Sequence, residues 1–548
     1  MRHRLPVRTC ALILLLALLV PPSAQALTVP EARTLLSVYS IDDIPSEVLE
    51  KETIPDMLEA LRDPYTSYFT AEEYRQFLDS MRDQDIVGIG ISARACEEGL
   101  LLQRVYEDTP AAQGGLQAGD IIVSVDGRAT AGETLETLTG WIQGAAGTQI
   151  TLSCRREETL YTAVLTRRAV VLPATVSELW EGHIGYIDCD TFGGETLAHF
   201  TQAAERYGTQ ADRWIVDLRG NSGGEVAAAI EAAGVFTGPG TLAYLRSGSG
   251  RVRSCASSQE ALLQSPVLVL TDQNTASAAE LFAAAIRDTG RGLIVGSRTF
   301  GKGVAQNVLD QDVFPQLFPD GDALKITTSR FYSASGSTDD TIGVLPHLTA
   351  APELAADIAK LLCALPPEEE ETLRLDWYGT WYVNLEQALS TEYRTAFTAL
   401  LEALPAGAAL YTGTGGSWKE AGAGVLAEQY GLDGYQYRGF SDTGGTPLGG
   451  AADALAFSGL LQGNGSGAYR PDGRLTRAEL CVLLAQVLNC YYPAGDGRFS
   501  DVSMDTWYGP AVYALTDLGL VSGVGGDRFC PGDPVSCEQL IAVMGRLA

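Results

Sequence analysis

Between residues 182 and 350, short apolar runs alternate with longer amphipathic ones, and this alternation constrains the fold more than any other feature. Ile184 to Ile187 has the pattern of a strand, and Thr196 to Tyr207 has that of a helix. Trp214 to Leu218 reads as a buried strand that a glycine-rich loop follows. Alternating strands and helices are typical of a layered α/β domain. The sequence therefore predicts an α/β core in this region.

The remaining blocks of the chain have different patterns. Residues 27–83 read as a helical N-terminal segment. Residues 84–168 contain short β-branched runs separated by glycines, which predict a small β-barrel with one or two helices. The acidic run Pro366–Glu371 is typical of a solvated linker. The segment 356–435, which contains that run, is predicted to be a linker or stays unassigned.

The last block repeats itself. Phe440-Ser441-Asp442 recurs as Phe499-Ser500-Asp501, 59 positions later, and Leu475-Thr476-x-x-Glu479 recurs as Val535-Ser536-x-Glu538 with a one-residue slip. A period near 60 predicts two stacked copies of one helical unit. The predicted copies span 436–497 and 498–548.

The charge balance excludes some classes of partner. The chain has 68 acidic and 38 basic residues, which gives a formal net charge of −30. Phosphate contacts need clustered Lys and Arg, so no nucleic-acid partner is expected. The same argument disfavours a peripheral protein held on anionic lipid.

Residues 1–26 have the features of an export signal. Three arginines lie among the first eight residues, Ala11 to Val20 is an unbroken apolar run, and Ala24-Gln25-Ala26 has the form of a cleavage site. Ten apolar residues are too few to span a bilayer, which needs about 20. The sequence thus predicts a cleaved signal peptide and a mature chain outside the cytoplasm with no stable membrane span. An uncleaved anchor is the alternative.

Nine cysteines follow the predicted leader, and an odd number cannot all pair internally. Cys481 with Cys490, and Cys530 with Cys537, could form disulfides, and the sequence leaves that choice open. No Cys-x-x-Cys pair or Cys/His cluster has the spacing of a zinc site, so no metal is predicted. The mature histidines, none of which neighbours another, are His183, His199 and His347.

Ser277 and Lys302 are the candidates for catalytic nucleophile and base. Ser277 follows a buried strand at a helix start, where unpaired N–H groups could hold an oxyanion. Capping the helix is the other role for such a serine. A buried lysine amine can be neutral and accept a proton, and Lys302 lies between two glycines at a strand end. An ordinary exposed loop lysine is the alternative.

The spacing of these residues resembles the serine–lysine dyad of the C-terminal processing peptidases, also called tail-specific proteases. In that family the lysine follows the serine by 25 residues and a glutamine lies four further on, as Ser277, Lys302 and Gln306 do here. The resemblance covers about 30–350 and implies a crotonase-like α/β protease core at 169–355. It implies no cofactor and no metal.

The same resemblance implies roles for residues around the dyad. Asp217 to Gly224 is similar to the family's glycine-rich loop, and the expected oxyanion donors are the N–H groups of Gly220 and Ala278. Asp288 matches a family aspartate near the dyad, for which a structural role is expected.

The β-rich block at 84–168 resembles the PDZ domain of these proteases. Its loop Gly88-Ile89-Gly90-Ile91 is similar to the one that binds a peptide's terminal carboxylate. The expected partners are therefore proteins or peptides with free C-terminal tails. A PDZ fold that serves only as a spacer is the alternative.

The C-terminal repeats resemble S-layer homology modules, which hold proteins on bacterial cell-wall polymers. Thr476, Arg477 and Glu479 lie in the motif that contacts the polymer, so the resemblance implies wall attachment through these residues. A purely structural role for the repeats is the alternative.

Taken together, the resemblances imply a secreted, wall-associated serine endopeptidase in a multidomain α/β chain. The alternatives are a catalytically silent, wall-anchored PDZ scaffold and a Ser–His esterase that uses one of the three histidines. A homo-oligomer is left open.

Overall fold

The computed structural model describes residues 27–80, 86–106, 108–157, 159–170, 173–338, 340–405, 408–443, 449–461, 463, 467–488, 490 and 497–547. The predicted signal peptide lies outside these residues. The chain divides into two compact units. Among the described residues, the first unit comprises 27–34, Ser46–Pro173 and Val308–Ile326, and the second comprises Leu35–Pro45, Ala174–Asn307 and 327–547.

Helices occur in every block of the described chain. They are α1 (Val29–Tyr39), α2 (Ser46–Leu49), α3 (Ile54–Leu61), α4 (Ala71–Ser80), α5 (Pro110–Gln113), α6 (Leu135–Ile142), α7 (Thr196–Tyr207), α8 (Val226–Thr237), α9 (Ala278–Asp288), α10 (Pro352–Leu362), α11 (Leu385–Leu389), α12 (Arg394–Ala403), α13 (Ala423–Gln429), α14 (Gly449–Phe457), α15 (Arg477–Val487), α16 (Gly509–Asp517) and α17 (Cys537–Leu547). None of these helices is both long and apolar enough to cross a membrane.

Strands occupy the middle of the described chain. They are β1 (Ser67–Phe69), β2 (Ile86–Gly88), β3 (Ile91–Cys96), β4 (Gly99–Val105), β5 (Ile121–Val125), β6 (Arg128–Ala129), β7 (Gln149–Arg156), β8 (Thr159–Thr166), β9 (Arg168–Val170), β10 (Thr175–Trp180), β11 (Ile184–Cys189), β12 (Arg213–Asp217), β13 (Gly240–Ser247), β14 (Val252–Ser257), β15 (Val267–Thr271), β16 (Gly292–Gly296), β17 (Val304–Leu309), β18 (Ala323–Ser333), β19 (Leu348–Thr349), β20 (Thr372–Asp376), β21 (Thr380–Asn384), β22 (Ala409–Gly413) and β23 (Trp418–Ala421).

The first unit contains the predicted β-rich domain. Its antiparallel sheet has the order β3-β4-β5-β7-β8, with β6 paired to β5, and α5 and α6 belong to the same domain. Inward-facing residues at every second position, such as Ile150, Leu152 and Cys154, are fully buried in its core. This alternation is the pattern of a sheet with one face on a core. Strand β3 lies at the edge of the sheet.

The helical N-terminal segment turns sharply at Asp63. The Asp63 carboxylate accepts hydrogen bonds from the Tyr65 N–H group (2.9 Å) and the Thr66 hydroxyl (2.6 Å), so it fixes the turn between α3 and β1. Strand β1 then pairs antiparallel with residues 323–325.

The second unit is built on the predicted α/β sheet, whose order is β10-β11-β12-β15-β16-β19. Strand β10 is antiparallel to β11, and the strands from β11 to β19 are parallel. The carboxyl ends of β12, β15 and β16 therefore lie at one edge and lead into three loops. Ligands and reactive groups of open α/β sheets gather at this edge.

Both faces of this sheet are buried. Helices α7, α8 and α9 pack on one face, where Trp214, Val216 and Val269 contribute to the core. The opposite face, with Ile215 and Leu268, packs against α10 and the segment that follows it. Burial on both faces explains why these strands read as continuous apolar runs rather than as alternating ones.

Residues 372–432, to which the sequence assigns no fold, complete this second core. Strands β20 to β23 form an antiparallel sheet of order β21-β20-β22-β23. Leu373, Trp381 and Val383 from this sheet are buried in the same cluster as the central strands. The segment predicted as a linker is therefore largely folded structure, because its alternating apolar residues cover the central α/β sheet. The glutamates of the acidic run are exposed, as expected for a solvated stretch.

His347 precedes β19, is half-buried, and contacts the rings of Trp377 and Tyr378. Its Nδ1 accepts a hydrogen bond from the Ile294 N–H group at 2.9 Å, so the ring is neutral at that nitrogen. Burial, followed by the charge of Arg287, lowers the pKa of His347 to about 4, although Asp288 acts in the opposite direction.

We expect His347 to make the second unit acid-sensitive. The unfolded chain binds a proton at this ring near pH 6.5 and the folded chain only near pH 4, so stability falls as pH drops between those values. The resulting decrease in the free energy of unfolding should approach roughly 3 kcal/mol. The unfolding temperatures of wild type and His347→Asn should therefore differ less at pH 4 than at pH 7. Parallel pH profiles for the two proteins would contradict this role.

The two C-terminal repeats have equivalent turns. Asp442 accepts hydrogen bonds from the N–H groups of Tyr469 and Arg470, both at 2.7 Å, and Asp501 accepts from those of Phe529 and Cys530, both at 2.8 Å. Identical use of an aspartate in both copies explains why the Phe-Ser-Asp sequence recurs.

The predicted one-residue slip between the repeats is wrong. Thr476 and Glu479 form a capping box at the start of α15. In the second repeat Ser536 and Gln539 bond each other's backbone N–H groups in the same way, at 3.3 Å and 3.1 Å. Gln539, not Glu538, is therefore the counterpart of Glu479, because a glutamine oxygen can also close a capping box.

Neither of the disulfides left open by the sequence is present. All nine cysteines of the described chain, including Cys481, Cys490, Cys530 and Cys537, are unpaired thiols.

Candidate active site

Ser277 lies in a strained turn between β15 and α9. Its backbone torsions, φ 58° and ψ −118°, fall in a region that non-glycine residues rarely adopt. Its neighbours Ala276 and Ala278 are buried, whereas Ser277 is only half-buried. A sharp strand-to-helix turn that presents a serine is also how the α/β-hydrolases expose their nucleophile. The local backbone thus suits a nucleophilic role.

One buried carboxylate connects this turn with the loop that carries Lys302. Glu280 Oε2 accepts hydrogen bonds from the N–H groups of Ser277 (2.7 Å) and Lys302 (2.9 Å). Glu280 Oε1 accepts from the Gly301 N–H group (2.7 Å) and the Thr299 hydroxyl (2.5 Å). Because a single oxygen atom holds both backbone N–H groups, Ser277 and Lys302 are brought side by side although they lie far apart in sequence.

Glu280 is only 2% exposed, and an unsatisfied carboxylate at that depth would be costly. Each of its oxygens instead has two donors. Burial raises the pKa of Glu280, and these hydrogen bonds act against that rise. The residue is therefore a structural link between the two candidate catalytic positions.

The glycine-rich loop begins at an ion pair between buried Asp217 and half-buried Arg219. Asp217 forms a salt bridge with Arg219 (2.6 Å) and accepts a hydrogen bond from the Tyr186 hydroxyl (2.9 Å). Arg219 also donates to the Pro352 carbonyl at 2.6 Å. These contacts fix the start of the loop at the carboxyl end of β12.

The middle of the loop lies against the Ser277 turn. The Ala276 N–H group donates to the Asn221 carbonyl at 2.9 Å. A Cβ atom on Gly223 would lie 2.8 Å from Ser277 Cβ, which is closer than two carbon atoms can approach. Gly223 therefore permits direct contact between the loop and the serine.

Gly223→Ala should lower kcat/KM by at least about tenfold, because the new methyl group would push the loop away from Ser277. Gly223 has φ 116°, so part of the cost would be backbone strain. Gly220→Ala is the matched control, since Gly220 also has positive φ but has open space at its Cβ position. Equal losses in the two variants would mean that strain, not contact with Ser277, is responsible.

The two predicted oxyanion donors differ in the structure. The Ala278 N–H group is at the first position of α9 and has no hydrogen-bond acceptor among the described residues. The Gly220 N–H group instead donates to Asp272 Oδ1 at 3.0 Å. Gly220 is thus corrected to a loop-fixing residue, and Gly223 is the loop glycine beside Ser277.

Gln306 and Asp288 have contacts of their own. Gln306 lies on β17, and its amide nitrogen donates to the Thr327 hydroxyl at 3.2 Å. Asp288 is at the far end of α9, about 15 Å along the helix from Ser277. It pairs with Arg287 (2.8 Å) and accepts from the Ser335 N–H group (2.9 Å). Its expected nearness to the dyad is therefore wrong, and its contacts are structural.

The histidines have other contacts. The two ring nitrogens of His183 lie 3.0 Å and 3.1 Å from the carbonyl oxygens of Glu181 and Cys363. His347 is held by Ile294, as described above. These contacts give neither ring the role of a base for Ser277.

The predicted carboxylate-binding loop connects β2 with the edge strand β3. The N–H groups of Ile89 and Gly90 have no acceptor within the described residues. A Cβ atom on Gly90, which has φ 80°, would lie 2.3 Å from Thr109 Cβ, so only glycine fits there. Consecutive free N–H groups next to an open strand edge suit the capture of a peptide terminus.

The predicted polymer-binding residues connect the two repeats. Thr476 and Glu479 cap α15, as described above. Arg477 donates to the carbonyl oxygens of Phe529 (2.9 Å) and Ser522 (2.6 Å). Arg477 also lines an open pocket of about 300 Å³ together with Gln539. All three residues therefore have structural contacts, whatever they bind in addition.

Two residues of the site were not assigned roles from the sequence. The Ser-x-x-Glu spacing of a capping box was the available signal for Glu280. Its bonds to the 299–302 loop depend on tertiary approach and have no local signal. Gly223 stood within the recognised loop, but the sequence does not indicate which glycine touches Ser277.

Family comparisons match three regions of the chain. Residues 183–350 match Peptidase family S41, residues 103–156 match a PDZ domain, and residues 439–481 and 498–540 match the S-layer homology domain.

Individual proteins match over a larger region. The carboxyl-terminal-processing protease of Picosynechococcus sp. is 27% identical over 379 residues, which cover 63% of this chain and 90% of that protein. The carboxy-terminal-processing protease of Bartonella bacilliformis is 30% identical over 313 residues, 55% of this chain and 69% of that protein. A solved photosystem II D1 C-terminal processing protease is 25% identical with a TM-score of 0.39, covering 60% of this chain and 93% of that one.

Proposed function

Because this chain belongs to peptidase family S41 and carries PDZ and S-layer homology domains, we propose that it is a secreted serine endopeptidase with a Ser277–Lys302 dyad. It acts on proteins that it recognises by their C-terminal tails. The observation that carries this proposal is the Glu280 carboxylate, one oxygen of which holds the backbones of both dyad residues.

In the proposed reaction the Lys302 amine removes the proton from the Ser277 hydroxyl. The serine oxygen attacks the scissile carbonyl, and the Ala278 N–H group stabilises the oxyanion. The C–N bond then breaks, and Lys302 passes the proton to the leaving amine. Water repeats the sequence on the acyl-enzyme and releases the new C-terminus. Gln306, four residues after Lys302, is proposed to orient the lysine amine.

Tail recognition is proposed for the PDZ domain. The free N–H groups of Ile89 and Gly90 would bind the terminal carboxylate, flanked by Gly88 and Ile91. The substrate's last residues would then add a strand to the open edge of β3. Capture of the tail would raise the local concentration of the upstream chain at Ser277.

Cell-wall attachment is proposed for the S-layer homology repeats, with Thr476, Arg477 and Glu479 in the recognition motif. The pocket supports this proposal, because Arg477 and Arg546 both line it and guanidinium groups suit an anionic polymer. A leader at residues 1–26 would export the chain to this location.

Activity should rise with pH from neutral to alkaline conditions, because only the neutral lysine amine can accept the serine proton. Initial rates measured on one peptide across this range provide the check. A flat profile would argue against a lysine base.

Labelling with a serine-reactive phosphonate probe tests the catalytic proposal against a silent scaffold. We expect the processed chain, residues 27–548, to be labelled at Ser277 and the Ser277→Ala variant to remain unlabelled. Replacing His183, His199 and His347 singly by Ala should leave labelling intact. Loss of labelling in one histidine variant would favour the Ser–His esterase, and no labelling of wild type would favour the scaffold.

A further inference from the structure

The two repeats are joined by a helix-on-helix contact. Helix α15 of the first repeat packs against α16 of the second. Leu480, Cys481 and Leu484 of α15 are buried in the core of the second repeat together with Ala511 and Leu515 of α16. The interface therefore has two different halves, one face of α15 and one face of α16.

Helix α17 occupies the place of α15 in the second repeat, 60 residues further on, but its corresponding face is open. Leu480, Cys481 and Leu484 are 5%, 1% and 8% exposed, whereas their counterparts Leu540, Ile541 and Met544 are 38%, 70% and 52% exposed. Three large apolar side chains on one helix face form an unusual surface for a chain as acidic as this one.

Helix α14 occupies the place of α16 in the first repeat and leaves the other half of the contact open. In α16, Ala511, Ala514 and Leu515 are fully buried, and Ala511 and Leu515 share a core with residues of α15. Their counterparts in α14 are the exposed Ala451 and the half-buried Ala454 and Leu455. Small residues at 451 and 454 leave room for the bulkier side chains of a packing helix.

We propose that α17 of one copy packs on α14 of a second copy, so that the chains associate through their S-layer homology repeats. The contact would reproduce between copies the α15–α16 interface that already exists within one chain. A second copy is the occupant because every copy presents both halves of this interface, and among the described residues neither half covers the other.

The two halves differ, but a two-fold axis pairs each half with the other, so the dimer interface as a whole is isologous. Two copies can close it by contributing one α17 and one α14 each, which gives a dimer with two equivalent contacts. Such a dimer would contain four repeats, and any wall-binding groups would act together with the gain expected of multivalent attachment.

Sedimentation analysis of the processed chain across a dilution series tests the proposal. It should be run near 0.15 M salt, where a Debye length of about 8 Å screens the net negative charge. We expect twice the single-chain mass, dissociating on dilution. Ile541→Glu should weaken association at least tenfold without lowering the unfolding temperature, because Ile541 is mostly exposed. Val425→Glu, an exposed apolar site on α13, should associate like wild type.

A mixing experiment distinguishes the proposed α17–α14 contact from one in which α17 or α14 packs on the same helix of the second copy. Ala451→Glu blocks the α14 half and Ile541→Glu blocks the α17 half, so each variant alone should remain a single chain. Mixed together, they should form a heterodimer through the one intact contact. A wild-type protein that is monomeric throughout, an Ile541→Glu variant that associates normally, or an Ala451→Glu variant that does so would each overturn the proposal.

Discussion

Replacing either Ser277 or Lys302 by Ala is expected to lower the rate of peptide-bond cleavage by at least about 10⁴-fold, the loss typical of removing a nucleophile or its base. Neither change should disturb the fold. Alanine retains the backbone N–H group that each residue donates to Glu280, so the linkage between the two loops survives.

Single-turnover rates and thermal unfolding should be measured on the same preparations. Lys419→Ala is the control, since Lys419 is an exposed lysine on β23, outside the site. The dyad assignment fails if either variant keeps more than a small fraction of wild-type activity while the unfolding temperature is unchanged.

Glu280→Gln should have the next largest effect, with kcat lowered by about 10²-fold or more and KM changed little. An amide has one acceptor oxygen in place of two. In one orientation its NH₂ group would face the N–H groups of Ser277 and Lys302, and in the other that of Gly301. Each backbone group left without an acceptor costs about 1–3 kcal/mol, so the unfolding temperature should also fall.

The matched control is Glu231→Gln on α8. Glu231 accepts hydrogen bonds from the Ser257 hydroxyl (2.9 Å) and the Ser258 N–H group (3.1 Å), far in sequence from the dyad. This variant should keep full activity. A Glu280→Gln protein with unchanged kcat would show that the link does not position the dyad.

Much of the protease-like core was predictable because its signals are local. The helix predicted at Thr196–Tyr207 has those bounds in the structure. The strands predicted at Ile184 to Ile187 and Trp214 to Leu218 are also present. Apolar runs buried on both faces, each followed by glycines or a helix cap, leave little freedom in the secondary structure.

The contribution of residues 372–432 was not predictable because it is tertiary. The alternation of Leu373 and Leu375 around Arg374 indicates a strand, and β20 is that strand. Nothing local indicates that these residues cover the sheet of the α/β domain. The nearby acidic run, which is solvated, reads as a boundary although the core continues beyond it.

In the candidate site, too, some features are predictable from the sequence and others depend on tertiary structure. The spacing of Ser277, Lys302 and Gln306 is visible in the sequence. Assigning the oxyanion donor within the loop needs backbone directions, and these turn Gly220 toward Asp272 and leave Gly223 beside Ser277. The distance of Asp288 from the dyad likewise follows only once α9 is seen to be a continuous helix.

Cleavage of a matched pair of apolar-tailed polypeptides, one with a free C-terminus and one amidated, tests the central claim most directly. The processed chain should be run beside its Ser277→Ala and Lys302→Ala variants. We expect wild type to cleave the free-tailed substrate and spare the amidated one, and both variants to cleave neither. Equal cleavage of the two substrates would contradict tail capture by the Gly88–Ile91 loop, and cleavage that survives in either variant would contradict the dyad.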